Sequence, residues 1–184
     1  MKVAPALALL AALVAAPAAH AALKLRLGGE AVVGSHDKNT GWTSLTDQFR
    51  PSANVMIGWV TPLDILSIDL EVSEQWLTNP PTGVDNRQGT TLRPGVTLSA
   101  PIVPVYARFA IPLKVEPSPF QSYARVGAGL GFNFLVATVY VEADADFLLT
   151  SGETTTQIQG VPIASTGAFE QQIFSAGAGL SFKF

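Results

Sequence analysis

Split by odd and even position, residues 64–76 fall into two sets of opposite character. Leu66, Ile68, Leu70, Val72 and Trp76 share one parity, and Ser67, Asp69, Glu71, Ser73 and Gln75 share the other. Side chains alternate across an extended strand, so this stretch has one apolar and one charged face as a strand and no coherent face as a helix. The pattern recurs. In 121–133, Ala124, Val126, Ala128, Leu130 and Phe132 oppose Tyr123, Arg125, Gly127, Gly129, Gly131 and Asn133. In 135–148, Leu135, Ala137, Val139, Val141, Ala143, Ala145 and Phe147 oppose Thr138, Tyr140, Glu142, Asp144 and Asp146. The end of the chain sets Phe174, Ala176, Ala178, Leu180, Phe182 and Phe184 against Ser175, Gly177, Gly179, Ser181 and Lys183. A chain written in period two from residue 22 onward is all-β.

Strands are expected at about 23–34, 53–60, 64–76, 88–99, 103–114, 121–133, 135–148 and 171–184. The joins at 61–63, 100–102 and near 134 are tight, whereas 35–52, 77–87, 115–121 and 150–170 are longer and rich in Gly, Pro, Thr and Asn. Alternating short and long connections imply an eight-stranded antiparallel up-and-down barrel, with short periplasmic turns at one end and longer extracellular loops at the other. Most strands have the nine to eleven residues, roughly, that a tilted strand needs to cross a bilayer. An even strand number brings both termini to the same side, the periplasmic one.

The aromatic residues decide which face is outside. With the N-terminus periplasmic, Trp59, Phe132, Phe182 and Phe184 fall at the periplasmic ends of their strands, and Trp76, Phe147 and Phe174 at the extracellular ends, all on the apolar parity. That is the arrangement of two aromatic girdles around a lipid-facing band. Tyr106, Tyr123 and Tyr140 lie on the polar parity. Backbone groups at bilayer depth must be satisfied, so the sheet has to close. Its interior then holds Lys24, Arg26, Arg93, Arg108 and Arg125 with Glu30, Asp69, Glu71, Glu142, Asp144 and Asp146. Near-balanced charge is what a narrow interior requires, because isolated buried ions are costly. The inward glycines 127, 129, 131, 177 and 179 are expected to make room for the long arginines. Pro94, inside the fourth strand, is expected at a bulge, and Glu74, on the lipid parity, at headgroup level beside Trp76.

Composition fits an exported membrane protein. Lys2, the apolar run 6–18 and "AHA" (19–21) form a secretory signal peptide, residues 1–21, with cleavage after Ala21, leaving 22–184 as one barrel domain. There is no cysteine. The net charge of −3 gives no electrostatic footprint for nucleic acid, and the mean hydropathy of +0.32, part of it from the signal peptide, leaves a remainder that implies more apolar surface than a small soluble core needs.

These features together resemble the small OmpA/OmpX-type outer-membrane barrels of Gram-negative bacteria, over 22–184. "GAGLSFKF" (177–184) and "RVGAGLGFNF" (125–134) carry the likeness most specifically. The resemblance implies a monomer among outer-membrane lipids and lipopolysaccharide. It also implies that the barrel assembly machinery recognises the terminal Leu180, Phe182 and Phe184.

No motif calls for a catalyst or cofactor. "EADAD" (142–146) puts three carboxylates on one side of a strand, but Arg108 and Arg125 are available as salt-bridge partners, so no metal is expected. "GAGLG" lacks the dinucleotide-binding spacing and a following helix. His36 is expected in the first loop and on no strand, which argues against a His-based lipid A hydrolase. His36, Asp37 and Trp42 are the candidate loop contacts for a surface ligand or lipopolysaccharide sugars. The expected function is therefore a non-enzymatic outer-membrane barrel that presents its loops for structural, binding or adhesion roles. Two alternatives stay open: a narrow channel for ions or small solutes, and a soluble calycin-like ligand binder with the apolar parity inside.

Overall fold

The structure is a computed structural model that describes residues 22–39, 41–44, 50–61, 64–78, 83, 87–100, 102–116, 121–151, 157–158, 161–162 and 170–184. The expected signal peptide lies outside the described residues. In chain order the strands are β1 Ala22–Asp37, β2 Gly41–Ser44, β3 Pro51–Val60, β4 Leu66–Trp76, β5 Arg87–Ser99, β6 Val105–Ala110, β7 Leu113–Lys114, β8 Gln121–Phe134, β9 Ala137–Ser151, β10 Gln157–Ile158, β11 Val161–Pro162 and β12 Gln171–Lys183.

Each long strand pairs antiparallel with its sequence neighbour, and β12 returns to pair with β1 from Lys24 opposite Lys183 to Asp37 opposite Gln171. The sheet is thereby closed. Ten strands share it; β6 and β7 are two pieces of one stave and β2 folds back on the end of β1, so the barrel has eight staves. Closure gives each of the eight staves a neighbour on both sides.

Turn chemistry fits the short end. Asp64 adopts a positive φ of 56° in the β3–β4 turn, a conformation that Asp tolerates better than most residues. Thr61 closes that turn, its N–H donating to Leu66 O at 2.8 Å. At the other end Gly41, with φ 76°, lets β2 fold back on β1, so that Trp42 lies opposite His36.

Several details differ from the sequence reading. The first loop was expected from 35, but β1 continues to Asp37, so His36 lies on a strand. The fourth long connection contains the short hairpin β10–β11. Pro94 marks no bulge: it sits opposite Leu70 in continuous register. Its missing N–H points instead at the neighbouring stave, where Ile111 N–H donates to Pro94 O at 2.9 Å and the return bond cannot form. There the expected 103–114 strand divides into β6 and β7, with Pro112 removing a second donor. The register shifts lie elsewhere, between Val32 and Gly34, between Gln75 and Trp76, and between Ser122 and Tyr123.

The barrel is inverted relative to a water-soluble one. Arg26, Asp69, Glu71, Arg93, Arg108, Arg125, Glu142, Asp144 and Asp146 are buried, whereas Leu27, Val55, Ile57, Leu70, Val72, Phe109, Val126, Leu130 and Val141 are exposed.

Candidate functional site

Parity brings the charges inside; register decides which of them meet. Glu30 on β1 is the centre. Arg93 of β5 reaches it at 2.6 Å (Nη2 to Oε1) and Arg125 of β8 at 2.9 Å (Nη1 to Oε2). β5 and β8 lie on opposite sides of β1 around the barrel, three staves away each way. These contacts therefore cross the lumen rather than run along the wall.

From Glu30 the network alternates in sign. Arg93 also pairs with Glu71, Glu71 with Arg108 at 2.7 Å, Arg108 with Glu142 at 3.4 Å, and Glu142 with Arg26 at 3.0 Å. On the other branch Arg125 holds Asp146 through two bonds, Nε to Oδ1 at 2.7 Å and Nη2 to Oδ2 at 2.6 Å. Asp144 is held more loosely, 3.6 Å from Arg125, and its Oδ1 makes no hydrogen bond. Lys24 and Asp69 form a separate pair at 3.3 Å, supported by Ser67 and by the Thr97 hydroxyl, which donates to Asp69 Oδ2. Each of the eleven interior charges thus has an opposite partner, as a low-dielectric interior demands.

The carboxylates of "EADAD" are engaged by arginines: Glu142 by Arg26 and Arg108, Asp144 and Asp146 by Arg125. Among the described residues no group of His, Cys, Asp or Glu is placed to hold a metal ion.

The tyrosines have a role that parity alone did not reveal. The Arg26 guanidinium lies 3.6 Å from the ring centroid of Tyr140 and 5.3 Å from that of Tyr106, while its Nη2 donates to Tyr106 Oη at 3.0 Å. A desolvated cation over an aromatic face gains about 2 kcal/mol. Four of the five inward glycines have a ring or an acid, and none an arginine, among the atoms nearest to where a Cβ would stand; the fifth, Gly131, meets Thr138. A Cβ on Gly129 would meet Tyr106 Cζ at 2.3 Å, one on Gly179 would meet Tyr140 Oη at 2.7 Å, and one on Gly127 would meet Asp144 Oδ1 at 2.1 Å. Met56 and Leu148, also inside and fully buried, carry no charge and were invisible to a reading by charge.

Below the network, at the end with the termini and short turns, the lumen opens into a cavity of about 600 Å³. Lys24, Arg26, Ser67, Thr97, Tyr106 and Tyr140 are among its lining residues. The network therefore closes one end of a cup.

On the outer face Trp59, Phe132, Phe182 and Phe184 lie at the short-turn end, and Phe184 pairs its backbone with Leu23. Leu180 is exposed one pleat further in. Trp76, Phe147 and Phe174 lie at the long-loop end. There Trp42 stacks on Phe174 with centroids 5.4 Å apart, and His36 meets Trp42 edge-on at 5.1 Å. Asp37 accepts a bond from the Asn39 N–H at 2.8 Å, shaping the tip of the same hairpin. Two of the three candidate loop contacts therefore form one aromatic cluster, extended by Phe174. Glu74 is held by Arg87, which also binds Glu116 at 2.8 Å, in an ion cluster at this rim beside Trp76.

No family model matches the sequence, and no curated protein matches it. Among solved structures the chain is similar to the crystal structure of Neisserial surface protein A, with a TM-score of 0.53 and 11% identity, over 89% of this chain and 99% of that one. At that identity the likeness is one of fold. It supports the barrel architecture expected from the sequence, while membership of the OmpA/OmpX-type family rests on no sequence match.

Proposed function

We propose that the chain is an integral protein of a Gram-negative outer membrane: a monomeric, non-enzymatic barrel, closed by its interior charges, that anchors the long loops at the cell surface. The carrying observation is the inversion of the barrel, with a continuous apolar face outside and a paired ionic network inside. In water that outer face would be a hydrophobic patch far larger than the few hundred Å² or so that soluble monomers expose. In lipid it is the ordinary solution, and closing the sheet lets neighbouring staves satisfy one another's backbone groups at bilayer depth. The same observation argues against a soluble calycin-like binder, whose apolar parity would have to lie inside.

Trp59, Phe132, Phe182 and Phe184 serve as the periplasmic girdle and Trp76, Phe147 and Phe174 as the outer one. Both termini are periplasmic. Leu180, Phe182 and Phe184 serve as the signal read by the barrel assembly machinery. The His36–Trp42–Phe174 cluster lies where lipopolysaccharide or a surface ligand would meet the protein.

Outer-membrane fractionation with heat-modifiable gel mobility tests the location; recovery as a soluble periplasmic protein overturns it. Planar-bilayer recording tests the closed lumen. Contacts that bridge the lumen at Glu30 predict no steady current, and a sustained conductance from purified protein would favour the channel reading instead.

A further inference from the structure

The short-turn end is not uniform around its circumference. On one side the β3–β4 turn carries Asp64, which pairs with Lys183 near the C-terminus. On the other side the β5–β6 and β8–β9 turns carry apolar tips. Ile102 is 94% exposed and Val136 84%, Leu135 is fully exposed, and Phe134 is exposed beside them; Ile102 and Phe134 also border the mouth of the lumen cavity. The two turns are neighbours, because β6 pairs with β8 and the Gly131 N–H donates to Pro104 O at 2.7 Å. Neither 100–107 nor 126–141 contains an Asp, Glu, Lys or Arg outside the lumen-facing parity, or indeed at all.

A turn tip in water has no use for these side chains. Leu135 makes the point most sharply, since its φ of 41° lies in the left-handed region where Gly, Asn or Asp is the favoured choice. The other non-glycine residue with a positive φ among the described residues is Asp64, in the β3–β4 turn. The apolar tips are continuous with the outward face below them, through Phe132, Leu130 and Val105.

We infer that the apolar side chains of the β5–β6 and β8–β9 turns reach into the acyl region of the periplasmic leaflet while the turn backbone stays at the headgroup boundary, so that the barrel stands tilted, deeper on this side than at the Asp64–Lys183 corner. The occupant of the apolar surface is phospholipid, because the surface is an uncharged extension of the lipid-facing band. The inference rests on the membrane reading proposed above.

The chain contains no cysteine, so single-site nitroxide labelling is direct. Ile102→Cys, Leu135→Cys and Val136→Cys, with Asp64→Cys and the mid-strand Val72→Cys as references, would be refolded as the full mature chain in phosphatidylcholine vesicles. Collision rates with oxygen and with a water-soluble nickel chelate then report depth. The expected result is an oxygen-to-nickel ratio at 102, 135 and 136 several-fold above that at 64 and approaching that at 72. Lipid-like values at 72 with water-like values at 102, 135 and 136 would overturn the tilted insertion and leave the membrane reading intact. Water-like values at 72 as well would overturn the membrane reading itself. Three labelled tip positions guard against one substitution that fails to refold.

Discussion

Glu30 on β1 meets Arg93 on β5 through the middle of the barrel, Oε1 to Nη2 at 2.6 Å, and on its other side the same carboxylate meets Arg125. One acid thus separates two guanidinium groups that would otherwise face each other in a space with little water. Removing one partner of a buried ionic group costs about 3–5 kcal/mol, because the charges left behind stay buried. An exposed pair contributes about 0–1 kcal/mol. Glu30→Ala and Arg125→Ala should therefore lower the urea midpoint of unfolding from lipid vesicles far more than Lys38→Ala, which removes only the exposed pair with Glu170 at 3.4 Å. Equal midpoints would contradict the bridged lumen.

The interior carries six acids against five cations, and the weakest-held acid is Asp144, 3.6 Å from Arg125 with Oδ1 unbonded. Asp146 has two bonds to the same guanidinium. Asp144→Asn should accordingly leave stability unchanged or raise it, while Asp146→Asn lowers it by about 2 kcal/mol or more, since a bond to a charged group is worth about 1.5–3 kcal/mol. Heat-modifiable mobility of the two variants, read as the temperature of half-unfolding, gives the comparison. The opposite order would show that Asp144 is the better-bound acid.

Gly127 leaves the space that the Asp144 carboxylate fills, and a Cβ there would stand 2.1 Å from Oδ1. Overpacking of this kind costs about 1–3 kcal/mol. Gly127→Ala should destabilise the native barrel by that amount and much less in an Asp144→Ala background. A double-mutant cycle in vesicles measures the coupling; strictly additive effects would mean that the two positions do not share the space.

Val126 lies on the exposed apolar parity of β8, and Val33 is the outward residue of the bulge near the long-loop rim. An arginine facing lipid near the midplane costs about 2–4 kcal/mol and near an interface about 0–1 kcal/mol. Val126→Arg should reduce vesicle refolding yield and stability by the larger amount, and Val33→Arg by the smaller. Similar, negligible effects at both positions would place that face in water.

The eight staves were legible because period two is a local property. Ser67, Asp69, Glu71 and Ser73 announce an inward face without knowledge of any other strand. What parity could not give is contact across the lumen. That Glu30 meets both Arg93 and Arg125 depends on the stagger of β1 against β5 and β8, which no single segment encodes. For the same reason the inward glycines were linked to the arginines. The neighbours across the ladder place Gly129 beside Tyr106, Gly179 beside Tyr140 and Gly127 beside Asp144, while Gly131 meets Thr138 and Gly177 meets Glu30. Pro94 was read from its own strand alone, whereas its missing N–H takes effect on the adjacent stave beside Pro112. The hairpin placing Trp42 over Phe174 turns on Gly41, within a stretch whose polar composition reads as loop.

The direction in which the two parities face decides whether this barrel belongs in lipid, and β4 tests it most directly. Single cysteines at each position from 66 to 76, in the refolded protein in vesicles containing brominated acyl chains, would carry an environment-sensitive fluorophore. Quenching by the bromines should alternate with period two. It should be strong at 68, 70 and 72, weak at 69, 71 and 73, and the modified lumen positions should also lower stability. Quenching absent at every position, or strongest at 69, 71 and 73, would contradict a barrel with lipid outside and charge within.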